Sequence, residues 1–151
     1  MPNNLERGLA EFRCEKCGKL LLKHAHGGDF EIKCNRCGTL NRMFEQMSEQ
    51  VIITDAKGII LYVNKEVERI TGYGAAEVIG KTPAIWGGQM SDEFYQKMWK
   101  VLLEDKQGVQ VKLTNHKKDG QPYNALLRVS PVLDMQGDVK FLVGFESVIK
   151  K

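Results

Sequence analysis

Residues 51–63 read VIITDAKGIILYV, two apolar, β-branched runs around Asp55-Ala56-Lys57-Gly58, and this stretch decides the fold of most of the chain. Val51 to Thr54 and Ile59 to Val63 have strand length and composition, and a turn ending in Gly58 closes them into an antiparallel hairpin. Further on, Ser91 is placed to cap a helix whose first turn carries Asp92 and Glu93, where the helix dipole favours carboxylates. Phe94, Met98 and Leu102 form its buried stripe, and Gly108 is expected to end it. Three strands then follow near Val109 to His116, Tyr123 to Leu133 and Val139 to Val148, separated by Lys118-Asp119-Gly120 and Met135-Gln136-Gly137-Asp138. Consecutive strands with short turns predict a meander. Two strands, a helical middle and three strands make an α+β domain with its helices on one sheet face.

Alternation along the strands singles out polar residues on an apolar face. Val109, Val111 and Leu113 share a face with Asn115, while Gln110, Lys112 and Thr114 take the other. A buried amide without hydrogen bonds costs ~1–3 kcal/mol, so Asn115 calls for a ligand, a water or a backbone partner. In the last strand Leu142, Gly144 and Glu146 alternate with Phe141, Val143 and Phe145. If Glu146 faces inward, the aromatic row faces outward and needs a cover. Trp86 and Trp99 flank the same region, as pocket walls or as ordinary core.

All four cysteines lie near the N-terminus, as CEKC at 14–17 and CNRC at 34–37. Zinc favours tetrahedral thiolate sites, and a CxxC turn followed by glycine, here Gly18 and Gly38, folds two sulfurs onto one ion. Cys14, Cys17, Cys34 and Cys37 are therefore read as ligands of one Zn2+ in a ribbon spanning 10–40. Disulfides, a thioredoxin-type redox pair and an iron site use the same residues. Four thiolates leave no open position, so the metal is structural. Leu20 to Leu22 and Phe30 to Ile32 read as strands joined by a turn from His24 to Gly28, with His24 and His26 as solvated turn residues. Such a small unit lacks a core of its own, and metal binding supplies ~10–16 kcal/mol in comparable peptides.

Between the two parts, Leu40, Met43, Phe44 and Met47 recur at helical spacing, which predicts an amphipathic linker helix over 41–49. Its stripe can pack on the following domain, at 50–151, or pair with a second copy in a homodimer.

The 151-residue chain carries a net charge of +3. Residues 1–47 hold 8 Lys/Arg against 6 Asp/Glu and residues 48–151 hold 14 against 13, so neither part is a strongly basic polyanion binder. No run approaches the ~20 apolar residues of a membrane span, and no secretory signal opens the sequence. A cytoplasmic setting with no membrane contact is expected.

FRCEKCGKLLLK (12–23) with FEIKCNRCGTLNR (30–42) resembles the Com-type zinc ribbon of Mu-like phages. That family includes a translational regulator acting on messenger RNA, which implies nucleic-acid contact through residues such as Lys16, Lys19, Lys33 and Arg36. ITDAKGIILYVN (53–64), ITGYGAAEVIGK (70–81) and the KKDGQPY turn (117–123) together resemble the PAS sensory family over about 100 residues. The resemblance implies a five-stranded antiparallel sheet with helices on one face, and a pocket for a small ligand. FYQKMW (94–99) and LTNHKKDG (113–120) are most similar to the flavin-binding PAS domains of redox sensors, which implies FAD or another small ligand, with Asn115, Trp86, Trp99 and Glu146 as its contacts. Departures are Pro83 where light-sensing relatives place a reactive cysteine, Ala125 at a second flavin-reading asparagine, Val109 where redox sensors have tryptophan, and Glu146 in place of glutamine. The histidines are not placed for haem.

These readings converge on a sensor-regulator without catalytic machinery: no nucleophile–base pair, open metal site or phosphate loop stands out. With no output segment after the last strand, the PAS pocket would signal through the ribbon to RNA, DNA or protein. The competing reading is an adaptor that binds no ligand and docks other proteins.

Overall fold

In the computed structural model the described residues are 10–13, 16–18, 20–24, 31–33, 40–42 and 44–150, with side chains described at 16–18 and 44–150. The chain divides into two units, Met1–Met47 and Ser48–Lys151.

In the first unit, β1 (Ala10–Arg13) pairs antiparallel with β2 (Leu20–His24), Phe12 opposite Leu22. Likewise β3 (Glu31–Lys33) pairs with β4 (Leu40–Arg42), Lys33 opposite Leu40. Each hairpin thus brackets one CxxC in sequence. This corrects the expected arrangement, in which the second and third strands faced each other across the histidine turn. Gly18, at φ 69°, provides a left-handed turn directly after Cys17, reversing the chain toward β2. His24 ends β2 opposite Ala10 and is not a turn residue. Cys14, Cys34, Cys37 and His26 lie outside the described residues, and so does the tetrahedral cluster expected of them.

The linker also differs from its sequence reading. Leu40 belongs to β4, and only Phe44–Gln46 form a 3-10 turn, with Met47 N donating to Phe44 O at 3.2 Å. The described residues of 41–49 therefore do not form a single amphipathic helix. An apolar repeat this short is too brief to hold a helix by itself, and sheet pairing with β3 takes its first residue.

In the second unit, the hairpin appears as β5 (Gln50–Asp55) and β6 (Ile60–Val63). Asp55 organises the turn: its Oδ1 accepts from the backbone N–H groups of Lys57 at 2.8 Å and Ile59 at 2.9 Å, while Gly58 takes φ 81°. Three short helical segments follow, α1 (Lys65–Thr71), α2 (Ala75–Val78) and a 3-10 turn at Pro83–Ile85. Helix α3 (Asp92–Leu103) starts as its sequence requires, with Ser91 Oγ accepting from Phe94 N at 3.2 Å. It stops at Leu103, five residues before Gly108. The left-handed position falls instead on Lys106, at φ 54°.

The meander is β7 (Val109–His116), β8 (Pro122–Leu133) and β9 (Val139–Val148). The five strands form one antiparallel sheet in the order β6-β5-β9-β8-β7, so the first and last strands lie side by side at its centre. One core cluster joins Ile52, Ile60, Val63, Val67, Val78 and Trp86; another joins Leu102, Val129 and Leu142. Both contain sheet and helical residues, which puts the helices on the inner face.

Candidate functional site: a cavity between sheet and helices

The inner face of the sheet does not close completely on its helices. A cavity of about 370 Å³ remains, within the range of small-molecule sites. Its floor is built by alternate strand residues: Ile52 and Thr54 from β5, Leu142, Gly144 and Glu146 from β9, Leu127 and Val129 from β8, Leu113 and Asn115 from β7. Trp86, Met90, Met98, Trp99 and Leu102 form the opposite wall. Asn115, Trp86, Trp99 and Glu146, singled out from sequence, therefore line one space.

Each is placed by a local cause. Trp86 follows the 3-10 turn, is 2% exposed, and accepts through its backbone O from His116 N at 2.8 Å, which ties this segment to β7. It serves the core and the cavity wall at once. Trp99 sits on the inner stripe of α3 beside the β5–β6 turn. A Cβ on Gly58 would come within 2.9 Å of Trp99 Cη2, so the glycine leaves room for the indole as well as making the turn. Pro83 lines the cavity too, at the position that lacks a thiol. Ala125 packs with Leu113 and Tyr123 beside it.

The polar end of the cavity is a four-residue network. Gln50 opposes Glu146 across the β5–β9 ladder and donates from Nε2 to Glu146 Oε1 at 2.9 Å. Tyr123 Oη donates to the same oxygen at 2.9 Å, and Asn115 Nδ2 reaches it at 3.0 Å and Tyr123 Oη at 3.3 Å. Burial pushes the Glu146 carboxyl above the ordinary carboxylate value, opposed by the bonds from Tyr123, Gln50 and Asn115. Burial, and then the charge of Glu146, raises the Tyr123 phenol, so it remains a donor at neutral pH.

Sequence reasoning missed Gln50 and Tyr123. The signal was present for Gln50, because alternation puts it on the face of Ile52 and Thr54. Asn64 was missed as well: its Oδ1 accepts from Val51 N at 3.0 Å and its Nδ2 donates to Glu49 O at 2.9 Å, fixing the start of β5 next to Gln50. Among the described residues, no group of three or more His, Cys, Asp or Glu is arranged to hold a metal ion. No described helix is long and apolar enough to cross a membrane.

Comparison with known proteins gives this geometry a context. Residues 38–148 match the family profile described as PAS fold, and residues 8–50 match that of the Mu-like prophage protein Com. The nitrogen fixation regulatory protein of Klebsiella oxytoca is 33% identical over 110 residues, which cover 72% of this chain and 22% of that protein. A blue-light-activated histidine kinase of Brucella anthropi is 32% identical over 84 residues, 56% of this chain and 17% of the kinase. The chain thus spans about a fifth of the length of these curated relatives. Among solved structures, an RNA-binding light-oxygen-voltage receptor superposes with TM-score 0.63 at 23% identity, covering 70% of this chain and 31% of the receptor. A PAS domain from Colwellia psychrerythraea gives 0.64 at 19% identity, covering 70% of this chain and 90% of that domain. At these identities the structural matches establish a shared fold.

Proposed function

Because this chain belongs to the PAS family over residues 38–148 and carries a Com-like zinc ribbon over residues 8–50, we propose that it is a non-enzymatic sensor-regulator. In this reading the cavity of the second unit takes a small ligand, and the ribbon, held by zinc on Cys14, Cys17, Cys34 and Cys37, contacts RNA.

The observation that carries the proposal is the polar corner of the cavity. A core built only for packing has no use for a carboxyl, two amides and a phenol converging behind an open space, because burying them is costly unless something is recognised there. Apolar floor, two indoles on the wall and a polar end suit a flat heteroaromatic ligand. A flavin fits this description, with Trp86 and Trp99 along its ring and Asn115 and Glu146 at its polar edge. When bound, such a group supplies two-electron redox chemistry; the chain's own residues hold it and keep water away. For the ribbon, the support is the donor set itself, four thiols in two CxxC pairs, together with a hairpin around each pair and the left-handed Gly18.

Sensing requires that the ligand state change the affinity of the output, since a ligand can shift an equilibrium only through differential binding. The test is fluorescence anisotropy of a labelled single-stranded RNA with the zinc-loaded full chain, with and without saturating FMN. A change in RNA affinity between the two conditions is expected. Equal affinities would refute the coupling, and no RNA binding in either condition would move the output to a protein partner.

A further inference from the structure

We propose that Glu146 is a specificity residue of this cavity: it carries a proton on Oε2, donates it in a hydrogen bond to an acceptor on the inner edge of the ligand, and thereby links binding to protonation. The proposal rests on the reading of the cavity as a ligand site and adds to it a chemical preference.

The geometry of the carboxyl assigns the proton. Gln50 Nε2, Tyr123 Oη and Asn115 Nδ2 all point at Oε1, at 2.9, 2.9 and 3.0 Å. An oxygen surrounded by three donors has no room for a hydrogen of its own, so a protonated Glu146 keeps it on Oε2. Oε2 takes no hydrogen bond from any described residue, and Glu146 is part of the cavity lining. The acid hydrogen is therefore presented to whatever fills the space.

Neighbouring groups hold this arrangement in one orientation. Turning the Asn115 amide over would face its oxygen toward Glu146 Oε1 and forfeit the bonds to Glu146 and Tyr123. Its Oδ1 is thus left on the other side, 3.5 Å from where a Cβ on Gly87 would stand. The corner offers an acceptor, Asn115 Oδ1, beside a donor, Glu146 Oε2–H. A planar heterocycle with an N–H next to a carbonyl or ring nitrogen complements both.

Charge around Glu146 is sparse. Its partners are Gln50 on β5 and Asn115 on β7, neither of them ionisable; the other floor residues of those strands, Ile52, Thr54 and Leu113, carry no charge, and strand alternation turns His116 to the opposite face. From β8 the one titratable neighbour is Tyr123. Glu49, adjacent to Gln50, is taken up by Arg128 and Ser147. Across the cavity, Asp92 and Tyr95 at the start of α3 are the other titratable side chains in the lining among the described residues. Among the described residues no cation acts on the carboxyl to hold it ionised, and its burial favours the neutral acid.

Glutamine is the isostere of the protonated form, with Oε1 to accept and Nε2–H to donate. The experiment is a fluorescence titration of the full chain with oxidised FMN from mildly acidic to mildly alkaline pH, for the wild type and Glu146→Gln. The wild-type affinity should fall as pH rises, approaching about tenfold per pH unit once Glu146 is ionised, whereas Glu146→Gln should stay flat. Calorimetry on the wild type at the alkaline end of that range, where free Glu146 is ionised, in two buffers of different ionisation enthalpy counts the same proton without any variant, and should show uptake on binding that vanishes in acid. FMN binding with no pH dependence and no proton uptake overturns the proposal, as does a slope that Glu146→Gln retains. FMN bound by neither protein at any pH overturns the flavin reading of the cavity, and this proposal with it.

Discussion

At Glu146 three hydrogen bonds favour the ionised carboxylate while burial disfavours it, and burial wins. The folded state therefore holds this proton more tightly than the unfolded chain. Its contribution to stability is complete below the unfolded carboxylate value and is lost as pH rises through the raised folded value. Glu146→Gln should remove that part of the pH dependence, so its thermal midpoint should exceed the wild type's at mildly alkaline pH and converge with it in acid. Asn115 and Glu146 were legible in the sequence because a polar residue on an apolar strand face breaks the alternation. Gln50 and Tyr123 were missed, for different reasons: the alternation that puts Gln50 on the face of Ile52 and Thr54 was there to be read, but was overlooked. Gln50 opens its strand, where a polar residue is ordinary, and Tyr123 closes a turn motif that gave no hint of where its hydroxyl would reach.

For the elements, local chemistry and tertiary pairing differ in how much they reveal. Helix α3 starts where its cap, first-turn acids and stripe place it, and Ser91→Ala, which removes the bond from Phe94 N, should cost about 1 kcal/mol in chemical denaturation. The hairpin turn is more tightly constrained. Gly58→Ala meets both a left-handed backbone and the Trp99 ring, so it should cost about 1–3 kcal/mol and shift the indole fluorescence, whereas an alanine at the exposed neighbour Lys57 should do neither. Strands β7, β8 and β9 were readable almost to the residue because long alternating runs end at glycine-containing turns. The segment around Leu40 to Met47 was not, since four apolar residues at helical spacing also suit a strand followed by a turn. Pairing with β3 decides between them.

Across the whole molecule, the two units rest on different physics. Ser48–Lys151 has its own apolar clusters beneath a five-stranded sheet. The described residues of the first unit form two short hairpins around its four cysteines, and so short a segment has too little apolar surface to order itself unaided. Removing zinc with a strong chelator should therefore abolish amide protection across residues 10–42, with protection in β5, β8 and β9 retained. Uniform loss in both units would show that the ribbon is not an independent metal-dependent fold. The α+β class, the succession of elements along residues 50–148 and the meaning of the cysteine spacing were legible because each follows from local pattern, whereas the central pairing of β5 with β9 joins distant segments and was not. The open space behind the sheet was expected only through the PAS resemblance, because a cavity is a failure of packing among distant segments and no short window of sequence records its size or its full lining.

Native mass spectrometry of the full chain, purified without denaturant or chelator and then offered oxidised FMN and FAD, tests the cavity most directly. One small organic molecule should be bound per chain, released by gentle collisional activation and absent when Gly144, on the cavity floor, is replaced by a bulky residue that leaves the circular dichroism spectrum unchanged. A chain that stays free of any organic ligand, before and after exposure to the flavins, would contradict the ligand reading of the cavity.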